Sequence, residues 1–197
     1  MHAFLETLRE QRWDDHRYYH HSLINQSLHL FSATSFLSVY VLLFWDPAAA
    51  ALIAWMISMT SRQIGHFFFE PKGYDHVNQA THEHKEAIKV GYNLKRKAVL
   101  HLVWGATPFA LYFEPTLFGI MQPWTGVSGF LHNLGLIWLC LGAGGLAFRC
   151  LQLWIIEDLQ TGLVWVVKII TDPFHDIKLY YKAPYELMRA GLAHGQR

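Results

Sequence analysis

The sequence predicts an all-α integral membrane protein, a bundle of about four transmembrane helices plus an interfacial amphipathic helix. Three observations carry that expectation. Hydrophobic residues make up 52% of the 197 and charged residues only 16%, well under the quarter usual in soluble domains. The apolar residues are gathered in blocks: no Asp, Glu, Lys or Arg lies between Arg17 and Asp46, and only Glu114 is charged from Ala98 to Phe148. The basic residues keep to a few segments. Lys plus Arg number 3 in residues 1–27 and 6 in residues 70–97, with none in 46–47 or 114–126.

Residues 1–27 are polar, with no apolar core after a basic start, and read as a cytoplasmic helix and not a signal peptide. Leu28–Trp45 is the first membrane block, close to the roughly 20 residues that a helix needs to span. Asp46-Pro47 marks a turn and a fresh helix start. The second block, Ala48–Thr60, continues through Arg62 and Gln63 into Ile64–Glu70, so its far end turns polar. Residues 70–97 form a hydrophilic loop punctuated by Pro71 and Gly73. Pro115, Pro123 and Gly126 then divide a third block, 98–113, from a fourth, about 127–148. The stretch 151–171 is apolar but carries Glu157, Asp158 and Lys168, which fits an interfacial helix or one packed on the bundle. A polar tail follows.

The chain is thus expected to be one domain over 1–197: an N-terminal helix (1–27), membrane helices (28–148) around the 70–97 loop, and an interfacial helix with its tail (149–197). Two membrane hairpins place all the basic segments on one side, the cytoplasmic one. A bacterial inner membrane and the endoplasmic reticulum fit equally well. Trp13, Trp45, Trp104 and Trp124 lie near block ends, as an aromatic belt requires. Buried helices of a soluble all-α protein are the alternative, but so many long blocks exceed the core of a small domain. A net charge of +1 excludes a basic nucleic-acid-binding module. Cys140 and Cys150 cannot build a disulfide framework.

Histidine is overrepresented: 13 residues, nine of them between His16 and His101. If 16–29 is one helix, Arg17, His21, Asn25 and His29 form a row at i, i+4, i+8 and i+12, with His16 and His20 beside it. Arg62, His66 and Glu70 form a second row. In a hairpin the start of the first membrane helix and the end of the second meet at one membrane face, so the rows converge. Neutral imidazoles with open positions suit Fe, Zn, Cu or Ni. Neighbouring Asn and Glu side chains fix imidazole tautomers. The candidate ligands are His20, His21, His29 and His66, with Asn25, Arg62 and Glu70 around them. His82 and His84 are further candidates in the loop on the same face. His101, His132 and His175 stand alone and read as amphipathic side chains at the interface. Arg62 is either a snorkelling cation or a substrate anchor. No phosphate loop, nucleophile elbow, H-E-x-x-H or C-x-x-C competes. Gly142-Ala143-Gly144-Gly145 reads as a helix-packing segment.

At these residues the chain resembles the Mpo-like family, membrane-embedded 2-hydroxy fatty acid dioxygenases whose fungal members act in phytosphingosine breakdown. The resemblance rests on Tyr19-His20-His21-x3-Asn25-x3-His29 and on Ile64-Gly65-His66-Phe67-Phe68-Phe69-Glu70, and covers about residues 16–70, roughly a third of the chain. After Glu70 the chain reads Pro71-Lys72-Gly73-Tyr74-Asp75-His76, where the family usually carries a basic-Pro-Ala stretch. The resemblance implies an Fe(II) centre held by His20, His21, His29 and His66, with Asn25 and Glu70 as further motif members in catalytic support. It also implies O2 and a long-chain 2-hydroxy acid as substrates, the acid shortened by one carbon. Arg62 lies outside the matched motifs; its charge suits it to pair with the acid's carboxylate. Two alternatives stay open. His16-x3-His20-His21 looks like a histidine box of a di-iron lipid hydroxylase or desaturase, though no second H-x-x-H-H accompanies it. The other is a non-enzymatic metal-binding membrane protein.

Overall fold

The structure, a computed structural model, describes residues 2–194. Every regular element among them is helical, as expected. α1 (His2–Tyr19) ends where the sequence pattern predicted an unbroken helix through residue 29, and α2 (Leu23–Leu42) starts afresh after His20, His21 and Ser22. This correction has a local cause. Asn25 Nδ2 donates to Tyr19 O at 3.0 Å and Gln26 Nε2 donates to His20 O at 2.8 Å. The start of α2 thereby caps the carbonyls that the end of α1 leaves open.

Asp46 accepts from Ala49 N and Pro47 occupies the first turn of α3 (Pro47–Ile53), the arrangement the Asp-Pro pair predicts. The helix then widens into a π-helical segment, Ala54–Met59, and tightens again as α4 (Thr60–Phe68). Thr60 Oγ1 donates to Trp55 O at 2.9 Å within the wide turn. The hydrophilic loop contains one short helix, α5 (His82–Ile88), capped by Thr81. Asn93 caps α6 (Leu94–Phe113). α7 (Gly126–Ile156), α8 (Leu159–Tyr180) and α9 (Ala183–His194) complete the chain.

α2 packs against α3, α4, α8 and α9, while α7 packs against α3, α6 and α8; α1 lies on α8. Two glycines allow close crossings. A Cβ on Gly65 of α4 would stand 2.1 Å from Asn25 Oδ1 of α2, and one on Gly135 of α7 would stand 2.3 Å from Ala48 O of α3. Away from the histidines the core is apolar: Ala51, Leu111, Leu134 and Trp138 are buried, with Trp55, Trp104 and Trp124 against them.

One further expectation changes. The fourth block and part of the expected interfacial segment fuse into the single 31-residue α7. The chain turns at Glu157–Asp158, and Asp158 caps α8 by accepting from Thr161 N at 2.7 Å. α8 is packed on the bundle, one of the two arrangements expected of it; Lys168, Asp172, Asp176 and Tyr180 are buried in it. Among the described residues α7 is the one helix long and apolar enough by itself to cross a membrane. Elsewhere the apolar blocks are diluted by Asn25 and His29 in α2, Arg62 and His66 in α4, and Lys95, Arg96 and Lys97 in α6.

Candidate metal centre

Three histidines from three backbone segments meet. His20 sits in the break between α1 and α2, His29 in the second turn of α2 and His66 in the last turns of α4. All are buried, and each offers a ligand nitrogen within 4.8 Å of the others. Their ring centroids are 4.0 Å (His20–His29), 4.9 Å (His29–His66) and 5.5 Å (His20–His66) apart. The close approach depends on the Gly65–Asn25 contact, which lets α4 settle on the start of α2.

Each ring is steered from behind. His66 Nδ1 lies 2.7 Å from Glu70 Oε2, one helical turn on. His20 Nδ1 lies 2.8 Å from the Tyr180 hydroxyl, which also lies 3.0 Å from His16 Nδ1. A phenol has one proton. With His20 Nδ1–H donating to Tyr180 and the hydroxyl donating on to His16, His20 keeps its Nε2 lone pair. The Nδ1–H of His66 donating to Glu70 leaves the Nε2 lone pair of that ring in the same way. His29 Nδ1 lies 3.6 Å from Asp176 Oδ2, beyond hydrogen-bond length. Both nitrogens of this fully buried ring lack a hydrogen-bond partner among the described residues. An unsatisfied buried polar group costs about 1–3 kcal/mol, and a shared cation removes that cost. Burial holds His20 well below its ordinary pKa, so it is in the neutral form that ligates. Burial also raises the Glu70 carboxyl, with Lys89 opposing. The donor set therefore fits a borderline divalent metal such as Fe(II), Zn(II), Cu(II) or Ni(II).

His21, an expected ligand, is not brought to this cluster. Its side chain is 38% exposed and its Nε2 lies 3.8 Å from Asp75 Oδ2. The row linking His21 to Asn25 and His29 exists only on an unbroken helix, and the break after Tyr19 sends His20 inward and its neighbour out. Asp75 is held by hydrogen bonds from the backbone and side chain of Asn78, which pull its carboxyl down to about 2. His84 and His132 are exposed and His82 is half-buried; none joins the triad. His101 packs against Trp55 and Trp104. Asn25 is fully buried and joins α1, α2 and α4. Arg62 is ion-paired with Asp176, and its Nε has no partner among the described residues.

The sequence reading missed the contribution of α8. Lys168, Asp172, Asp176 and Tyr180 recur every four residues, so they share one face. That face meets Asp15, Arg12, Arg62 and His20. The periodicity was visible in the sequence, hidden inside what reads as an interfacial helix and a polar tail.

The triad opens on a cavity of about 610 Å³. The histidines, Arg62 and Tyr180 line it together with Phe36, Trp55, Trp104, Trp138 and Leu146, and with the charged Asp15, Lys97 and Lys168. Comparison of the chain with family models, curated proteins and solved structures finds no match to any of them.

Proposed function

We propose that this chain is a membrane-embedded, Fe(II)-dependent dioxygenase that shortens long-chain 2-hydroxy fatty acids by one carbon. The observation that carries the reading is the cavity, whose lining joins three buried imidazoles and several charged side chains to a larger aromatic and aliphatic wall. A soluble substrate gives no reason for such walls, whereas an acyl chain fills them. The resemblance around residues 16–70 supplies the reaction.

His20, His29 and His66 would hold the metal, which would supply O2 activation beside the bound hydroxy acid. The atoms balance as one O2 per 2-hydroxy acid, giving the acid one carbon shorter, CO2 and water. The contribution of the protein is positional. Tyr180 and Glu70 hold the Nδ1 protons of His20 and His66, so the ligating nitrogens face the cavity. Asn25 fixes the break that turns His20 inward. Asp176 holds Arg62 at the cavity wall and competes with a substrate carboxylate for its guanidinium. The triad is the one cluster of three or more His, Cys, Asp or Glu ligands among the described residues, which favours one ion over the two of a lipid desaturase.

The membrane arrangement belongs to the same proposal: α2, Pro47–Phe68, α6 and α7 span, and the triad lies at the cytoplasmic face. α2 and α6 have 20 residues each, about 30 Å at 1.5 Å per residue. Large apolar side chains stand outward on these segments, among them Phe31, Val41, Phe109 and Ile155, an apolar surface suited to lipid. In a background with Cys140 and Cys150 replaced by Ala, cysteines at 83 and 120 are expected to label from opposite sides. Labelling from one side rejects the two hairpins.

The functional test is anaerobic loading of the detergent-purified chain with Fe(II), addition of 2-hydroxyhexadecanoic acid and O2, and mass spectrometry of the products. One iron per chain and pentadecanoic acid are expected. Hydroxylated or desaturated products of unchanged length point to the di-iron reading, and failure to bind iron rejects both.

A further inference from the structure

Five cationic side chains line the cavity: Arg12, Arg62, Lys89, Lys97 and Lys168. Four have a carboxylate at ion-pair distance. Arg12 lies 3.6 Å from Asp172, and Arg62 is paired with Asp176. Lys89 reaches Glu86 at 3.1 Å and Glu70 at 3.4 Å. Lys168 bridges Asp15 and Asp172. Lys97 is the exception, having no ion pair among the described residues.

Lys97 lies in the first turn of α6, half-buried, and lines the same cavity as His20, His29 and His66. An ammonium withdrawn from water is costly unless an anion compensates it. No carboxylate among the described residues stands at ion-pair distance from it, Glu70 and Asp15 acting only from farther off, and the neighbouring cations Arg62 and Lys89 already have carboxylate partners. Lys97, Leu100 and Trp104 all line the cavity at i, i+3 and i+7 of one helix, so they form a single stripe. The stripe starts with a cation beside the triad and continues as apolar surface. It is complementary to an amphiphile with an anionic head.

We propose that Lys97 binds the carboxylate of a long-chain ligand whose tail runs along Leu100 and Trp104, so that Lys97, and not Arg62, fixes the anionic end in this cavity. The inference rests on the function proposed above and names the residue that selects an acid over a neutral lipid.

The test is ligand binding to the full chain in detergent, loaded with Fe(II) under argon so that nothing turns over. Quenching of tryptophan fluorescence reads the dissociation constants of 2-hydroxyhexadecanoic acid, hexadecane-1,2-diol and hexadecyl phosphate. A charge-assisted contact makes the wild type prefer the acid over the diol by about tenfold or more. Lys97→Gln and Lys97→Met are expected to abolish that preference at unchanged iron content, and Lys97→Arg to keep it. If both neutral variants still prefer the acid, the inference is overturned and the proposed function stands. If the iron-loaded wild type binds neither acid nor diol, the proposed function itself fails and the inference with it. Tighter binding of hexadecyl phosphate than of the acid, lost in Lys97→Gln, overturns the carboxylate assignment in favour of a phosphate head.

Discussion

At the triad end of the bundle, buried polar side chains hold one helix to another: Asn25 to Tyr19, Arg62 to Asp176, Lys168 to Asp15, Tyr180 to His16 and His20. At the other end α3, α6 and α7 meet through Ala51, Leu111, Leu134 and Trp138, and polar contacts are few. The difference is one of directionality. Apolar packing tolerates small shifts, because dispersion and burial have no preferred angle. Hydrogen bonds and ion pairs do have one, and they become costly when half-made in a dry interior. A site that must hold three nitrogens in register gains from the second kind of contact; a sleeve for a flexible chain needs only the first. Substitutions at each end test this contrast, and their effects on the metal centre differ in size.

The largest effect is expected from the triad. His20→Ala, His29→Ala and His66→Ala each remove one of three donors and should abolish stoichiometric iron, read by elemental analysis of the purified chain. His21→Ala and His132→Ala should keep it. Iron retained in His29→Ala, or lost in His21→Ala, would reject the triad as the structure draws it.

His21 also marks where the sequence stopped being legible. The all-α class, the hairpin that brings residues 20–29 to residue 66, and the role of Glu70 beside His66 all follow from apolar blocks and four-residue spacing. The helix break does not, because no proline or glycine announces it. It is made by Asn25 and Gln26 reaching back to carbonyls of residues 19 and 20, and side-chain capping of this kind leaves no periodic trace. Tyr180 and Asp176 were hidden for a different reason. Their row on α8 is regular, but a charged helix after four apolar blocks reads as interfacial until its partners on α1 and α4 are known. The π-helical segment is a third case: nothing in Ala54–Met59 distinguishes it from an ordinary turn.

Next in size is Asp176→Asn. Removing one partner of a buried ion pair leaves the other charge uncompensated, a loss of about 3–5 kcal/mol. Arg62 is then stranded beside His29, so both thermal stability in detergent and iron content should fall. The double variant Arg62→Met, Asp176→Leu removes both charges and should recover much of the stability. If the single variant proves as stable as the double, the pair is not the clamp described.

Glu70→Gln should act more gently. The carboxylate orients His66 through Nδ1, and an amide oxygen still accepts that proton without the charge. Replacing such a partner behind a ligating histidine costs about 10–100-fold in metal affinity. A competition titration with a chelator is expected to give a value in that range with the fold intact. No change in affinity would mean that Glu70 serves Lys89 and not His66.

The smallest effect on the metal belongs to the apolar end. Pro108 lacks the N–H that would satisfy Trp104 O one turn earlier in α6. Thr107 Oγ1 donates to that carbonyl at 2.6 Å and accepts from Trp138 Nε1 of α7 at 2.6 Å. One hydroxyl thus repairs the proline gap and ties α6 to α7. Thr107→Val keeps the shape and removes both bonds, leaving a carbonyl and an indole N–H unpaired, at about 1–3 kcal/mol for each group left buried. The midpoint of thermal unfolding in detergent should therefore fall, while iron per chain and chelator competition stay at wild-type values. A drop in iron affinity in Thr107→Val would show that strain at the Thr107–Trp138 hydrogen bond reaches His66 along the Pro47–Phe68 helix, and that the two ends of the bundle do not act independently.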